Sequence, residues 1–186
     1  MRKKTLEVVA TIVALVCVVI VSVTLILKKG EDSLTNEQMD AIAYLEEKTA
    51  LTPVQITSVI SFIQTESGFD PSFESPNGSY GLCQWSYNRY DNLKEFSEQN
   101  GISINNLTLQ LEFLVEELSP ESEYYSLSDF GDYTVYDWIN SDDIEDSIVI
   151  FRAIYANVIS QDTEVLESQV KFAEKIYSYV IAELTN

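Results

Sequence analysis

The chain has 186 residues, enough for one compact domain and a short additional segment. It contains no histidine and two cysteines, Cys17 and Cys83. That excludes Ser-His-Asp and Cys-His catalysis and any His-ligated zinc site, so a general acid must come mainly from Asp or Glu. The formal charge of −19 disfavours non-specific binding to nucleic acid, and no nucleic-acid partner is expected.

Arg2, Lys3 and Lys4 precede an apolar run of 20 residues, Val8 to Leu27, followed by Lys28 and Lys29. At ~1.5 Å per residue such a helix spans the ~30 Å hydrocarbon core of a bilayer. The run is longer than the core of a secretory signal, and no small-x-small cleavage site follows it. The expectation is an uncleaved single-pass anchor at 8–27, with a cytoplasmic tail at 1–7. Residues 28–34 form a short polar linker, and 35–186 form the domain, on the outer, cell-wall side of the cell membrane. From Ser33 onward six cations face 27 acids, a net charge of −21.

Thr35 with Gln38 reads as a capping box that opens a first helix through MDAIAYLEEK. Thr52, Pro53 and Gln55 signal a second start, with Ile56, Val59, Ile60 and Ile63 on its buried face and Phe62 widening it. Gly, Pro, Asn and Ser then cluster at 68–81, which predicts a loop or small β flap. A helix over about 89–99 ends at Gly101. Another over about 105–118 carries Leu107, Leu111, Leu114, Val115 and Leu118 on its apolar face and stops before Pro120. Residues 121–132 are acidic and read as loop. Helices over about 143–159 and 162–184 complete a mainly α domain.

The chemistry concentrates between Glu66 and Trp85, in ESGFDPSFESPNGSYGLCQW. A glutamate closes an apolar helix, and a turn-rich loop returns through Gly-Leu-x-Gln-Trp. Neighbouring apolar side chains and a helix C-terminus both disfavour a negative charge, so Glu66 is placed to stay protonated above its ordinary range near pH 4.3. Glycoside cleavage needs such an acid. Asp70, Glu74 and Asp91 are near in sequence, but nothing selects one of them as a second carboxylate. Cys83 lacks a histidine base and reads as a small packing residue.

This string resembles the lysozyme superfamily. Glu66, Ser67, Phe69, Pro71, Ser75, Gly78, Gly81, Leu82 and Gln84 fill the pattern of soluble lytic transglycosylases and goose-type lysozymes. Trp85, Arg89, the stretch 107–118 and FRAIYANV at 151–158 are more similar to the phage-tail lysozyme branch. The resemblance implies a lysozyme-like fold and a peptidoglycan glycosidase, without cofactor, that cleaves the MurNAc–GlcNAc β-1,4 bond. It implies Glu66 as the acid, Ser75 hydrogen-bonded near it, Gln84 lining the cleft and Tyr155 facing the acid. Tyr80, Trp85 and Tyr87 are candidates for stacking on sugars, and Arg89 for holding the flap, an ion pair or a substrate carboxyl.

Hydrolysis and transglycosylation stay equally open, because a transglycosylase manages with one carboxyl while the substrate's acetamido group and C6 hydroxyl complete the reaction. The expected setting is local wall opening for a conjugation, secretion or phage apparatus. The alternative is a non-catalytic glycan-binding or scaffold module.

Overall fold

The computed structural model describes residues 33–159 and 163–184. The apolar run at 8–27, the tail at 1–7 and most of the linker lie outside the described residues. Among the described residues no helix is long and apolar enough to cross a membrane. The domain is mainly helical. Its elements are α1 (Asn36–Lys48), α2 (Pro53–Ser67), α3 (Tyr87–Asn100), α4 (Leu107–Leu118), α5 (Val135–Ile139), α6 (Ile144–Ala156) and α7 (Thr163–Leu184).

Helix α2 is the centre of the fold. Its start is the predicted capping box: Thr52 accepts from the Gln55 amide, Gln55 accepts from the Thr52 amide, and Pro53 opens the helix. The apolar face expected at Ile56, Val59, Ile60, Phe62 and Ile63 is buried, but so is every residue from Val54 to Ile63. Helices α6 and α7 pack on it from the polar side as well. Thr57, Ser58 and Ser61 make this possible, because short side chains allow close backbone approach. Ser61 Oγ donates to the Gln169 carbonyl of α7 at 3.2 Å, and Ser58 Oγ accepts from the Trp138 indole at 3.0 Å. The Ser58 and Ser61 hydroxyls are therefore buried with partners, as a low-dielectric interior requires, whereas the Thr57 hydroxyl has none among the described residues.

The other helices fall close to their expected positions. Gly101 ends α3 in a left-handed conformation, φ 65°. Helix α4 corrects the expected apolar face. Its buried residues are Leu109, Gln110, Leu111, Phe113, Leu114 and Glu117, while Leu107, Val115 and Leu118 are half-exposed. A reading by hydropathy alone skips Gln110 and Glu117, and these two polar residues turn out to hold the site together. Helix α5 was not expected. Its signal is Thr134 with Asp137, a reciprocal capping box, and Gln55 of α2 secures its end by donating to the Ile139 carbonyl at 2.7 Å.

Between α2 and α3 the chain forms a minimal antiparallel flap. Tyr80 bridges Glu74 on one side and Trp85 on the other. Gly68 and Phe69 both turn left-handed, φ 62° and 68°, and this takes the chain out of α2 and drops Phe69 into the core. Gln84 and Tyr87 are also left-handed, φ 52° and 49°. Left-handed backbone at non-glycine residues costs about 1–2 kcal/mol each, and three such residues bracket this one flap.

Candidate active site

Glu66 stands in the last turn of α2, on the wall of a cleft of about 430 Å³. The flap contributes Phe73, Ser75, Asn77, Ser79, Cys83 and Gln84, and the opposite wall contributes Arg89, Arg152 and Ala156. Phe62, one turn before Glu66, also lines it. Behind Phe62 sit Phe151 and Tyr155, edge-on at 5.6 and 5.3 Å between ring centroids. The carboxyl is therefore held against an aromatic wall. Burial raises its pKa above the ordinary glutamate value, and the nearby Arg152 charge partly opposes that rise. Arg152 Nη2 lies 3.7 Å from Glu66 Oε1, an ion pair longer than a hydrogen bond.

The flap is fastened to the end of α2 and to α4. Ser67 Oγ donates to the Leu82 carbonyl at 2.9 Å. Gln110 of α4, fully buried, accepts from the Leu82 amide at 2.8 Å and donates to the carbonyls of Pro71 and Ile104 at 2.7 and 2.6 Å. Gly81 lies against that amide. A Cβ there would sit 2.6 Å from Gln110 Oε1, on a backbone already at φ 75°. The glycine is thus required by close approach and by conformation together.

The expected substrate-binding residues divide. Ser75 and Gln84 line the cleft. The Ser75 hydroxyl turns into its own loop, bonding Asn77 Oδ1 and accepting from the Ser79 amide at 3.1 Å, so its bonds go to the loop and not to Glu66. Gln84 donates to the Gly81 carbonyl at 3.0 Å, bracing the flap from inside. Tyr80 stacks its ring on Tyr90 at 5.3 Å and does not line the cleft. Tyr87 is 90% exposed and does not line it either.

Trp85, Arg89 and Tyr155 are all gathered by a carboxylate that a hydropathy reading passes over; for Trp85 and Tyr155 this corrects the expected substrate contact, and for Arg89 it selects the ion pair among its expected roles. Glu117, 1% exposed, accepts from the Trp85 indole at 2.7 Å, from Arg89 Nε and Nη2 at 2.7 and 2.8 Å, from the Tyr155 hydroxyl and from Ser126 Oγ at 3.1 Å. Trp85 is wholly buried, with its edge against Phe113, and has no face left for a sugar. Tyr155 points its hydroxyl at Glu117, away from the role of facing Glu66. Its ring lies 4.1 Å under the Arg89 guanidinium. Arg89 is a structural ion pair whose flank reaches the cleft wall. An unpaired buried carboxylate is costly, so Glu117 captures every donor within reach.

Cys83 is buried in the cleft floor, and burial pushes its thiol pKa well up, so it stays protonated. Asp70 and Glu74 are exposed in the flap, and Asp91 is exposed and paired with Lys94 at 2.6 Å. None of the three lines the cleft. Among the described residues no cluster of Cys, Asp and Glu is placed to hold a metal ion.

A family model described as phage tail lysozyme matches residues 36–180. The match takes in six of the helices and most of α7. A search of the curated proteins finds no match to the chain. A lysozyme-like domain implies a glycosidase acting on peptidoglycan glycan strands, and this much follows at the general level. With the family model covering well over half its length, the chain belongs to the phage tail lysozyme family.

Proposed function

We propose that this domain cleaves the MurNAc–GlcNAc β-1,4 bond of peptidoglycan with Glu66 as general acid, by the one-carboxylate route of a lytic transglycosylase. One observation carries the choice: among the described residues, Glu66 is the single carboxyl lining the cleft. A two-carboxylate glycosidase places its groups ~5–5.5 or ~6.5–9.5 Å apart across the scissile bond. With no second carboxyl among the described residues of the cleft wall, the substrate's own acetamido group and C6 hydroxyl complete the reaction in this reading. The raised pKa keeps the proton on Glu66 for the leaving oxygen.

The test is a turbidity assay and zymogram on the full chain, with mass spectrometry of the released muropeptides. Anhydro-ended products support the reading. Reducing ends dependent on Glu66 would replace it with a lysozyme, and no cleavage at all would leave a glycan-binding module. The apolar run at 8–27 and the Arg2-Lys3-Lys4 cluster support a location at the outer face of the cell membrane, for local wall opening. Protease treatment of wall-stripped cells should degrade the domain, and full protection would refute that topology.

A further inference from the structure

The cleft has an electrostatic character unlike the rest of the domain. Six cations lie between Ser33 and the C-terminus, among 27 acids. Two of the six, Arg89 and Arg152, line the cleft, whereas among the described residues Glu66 is the one acid that does so. The two arginines are used very differently. Arg89 has its guanidinium bound by Glu117 and by the Tyr155 carbonyl. Arg152 has no hydrogen bond to any described residue: Nε and Nη1 are buried without a partner, and Nη2 has the loose 3.7 Å pairing with Glu66. A guanidinium carries five donors in a planar fork, shaped to take a carboxylate with two parallel bonds. Leaving such donors buried and unmet is unfavourable, and each such group calls for an explanation that a substrate carboxylate would supply.

Glu66 is a poor permanent partner for it. An acid catalyst must hold its proton, and once Glu66 is protonated Arg152 has no counterion among the described residues of the cleft. We propose that Arg152 is the cleft's carboxylate-binding residue: a carboxylate carried by the glycan strand beside the scissile bond replaces Glu66 as the counterion of its guanidinium. The inference rests on the glycosidase reading and adds the substrate class, strands bearing a carboxylate close to the cleaved bond. Two chemical sources exist, the lactyl carboxylate of a muramic unit whose peptide has been removed, and a carboxylate of an attached stem peptide.

Binding and protonation are then linked. The titratable and charged groups beside Glu66 are Arg152 from α6, Arg89 from α3 with Glu117 of α4 behind it, and Cys83, whose buried thiol stays neutral near pH 7; the Tyr155 phenol faces Glu117 instead. Arg89 is matched by Glu117, so Arg152 is the charge that draws Glu66 toward ionisation. A carboxylate on Arg152 offsets that charge and favours the proton on Glu66. By reciprocity, the protonated acid favours the carboxylate.

The experiment compares three substrates of equal sugar length with the full chain: chitin oligosaccharides, which carry no carboxylate, peptide-free strands with lactyl carboxylates, and peptide-bearing strands. Wild type should have a higher kcat/KM on a carboxylate-bearing strand than on chitin. Which of the two strands is preferred identifies the source. Arg152→Gln should reduce that preference about tenfold or more, mainly through KM, with Arg152→Lys intermediate because it keeps the charge and loses the fork. The alkaline limb of kcat/KM on chitin oligosaccharides should move to higher pH in Arg152→Gln, since the charge opposing protonation of Glu66 is gone. Thermal melting reports whether each variant folds, and Arg152→Lys carries the test if the glutamine variant does not.

Equal losses on all three substrates with an unmoved pH limb would make Arg152 structural and overturn the proposal. If wild type cleaves none of them, the glycosidase reading has failed, and calorimetric Kd values for peptide-free and peptide-bearing strands decide the present question separately. Kd values unchanged by Arg152→Gln for both strands overturn it, and a Kd raised about tenfold for either sustains it.

Discussion

Glu66 and Glu117 are both helix carboxylates facing an arginine, and they differ in what surrounds the charge. Glu117 is almost wholly buried, yet donors from Trp85, Arg89, Tyr155 and Ser126 meet both its oxygens. Glu66 is more exposed, but its partner stands 3.7 Å away and its pKa is raised by burial. Burial alone therefore does not decide what a carboxylate does. At Glu66 burial comes with few hydrogen bonds, so the ionised form is poorly solvated while the neutral form loses little. Glu117 shows the opposite use of the same residue, as a hub joining the flap, α3, α4 and α6.

The sharpest break of the comparison is Glu66→Gln. Losing a positioned acid typically costs ~10²–10⁴-fold in rate, and glycan turnover should fall by that range while the domain still folds. Stability should move the other way. A carboxyl with a folded pKa above its unfolded value contributes most below the unfolded pKa, near ~4.3, and loses that contribution as pH rises through the folded value. Glu66→Gln should thus melt at or above the wild-type temperature at pH 7, with the difference disappearing below about pH 4. Thermal melts across pH check the sign, and a variant that keeps more than about a third of the wild-type rate would refute the assignment.

Glu117→Ala should do the reverse and strike the fold. Removing one partner of a buried ion pair costs ~3–5 kcal/mol, and here it also strands the Trp85 indole and the Tyr155 hydroxyl. Denaturant unfolding should show that loss, and any loss of activity should follow the loss of folded protein and of flap position. Gly81→Ala tests the link between flap and α4. The new Cβ would collide with Gln110 on a left-handed backbone, so a loss of about 1–3 kcal/mol is expected, with a raised KM for glycan as the flap shifts. The smallest effect belongs to Cys83→Ser. A packing thiol tolerates a near-isosteric change, so at least about a tenth of the activity should remain, and thiol reductants should leave the rate unchanged.

Legibility followed local physics. The α2 start was readable because Thr52, Pro53 and Gln55 cap their own helix, and the α3 end because Gly101 takes a left-handed turn that most residues resist. The α5 helix was equally local, in Thr134 and Asp137, but five residues within an acidic stretch show no hydrophobic period. The apolar face of α4 was misjudged for a different reason. Hydropathy assigns Gln110 and Glu117 to solvent, whereas both are buried because partners from the flap and from α6 satisfy them.

By itself, the sequence determined the mainly helical class, the position of the central helix and the carboxyl at its end, since capping, periodicity and turn chemistry act over a few residues. It also excluded histidine chemistry outright. Tertiary structure alone decided what each polar side chain does. Arg89 and Arg152 carry the same charge and stand 63 positions apart, and nothing local distinguishes them. Arg89 meets the Glu117 carboxylate and becomes part of the framework, while Arg152 meets only the edge of Glu66 and keeps its donors unmet. Hydrogen bonds have a reach of about 3 Å, so which donors find acceptors is settled only when distant segments are packed together.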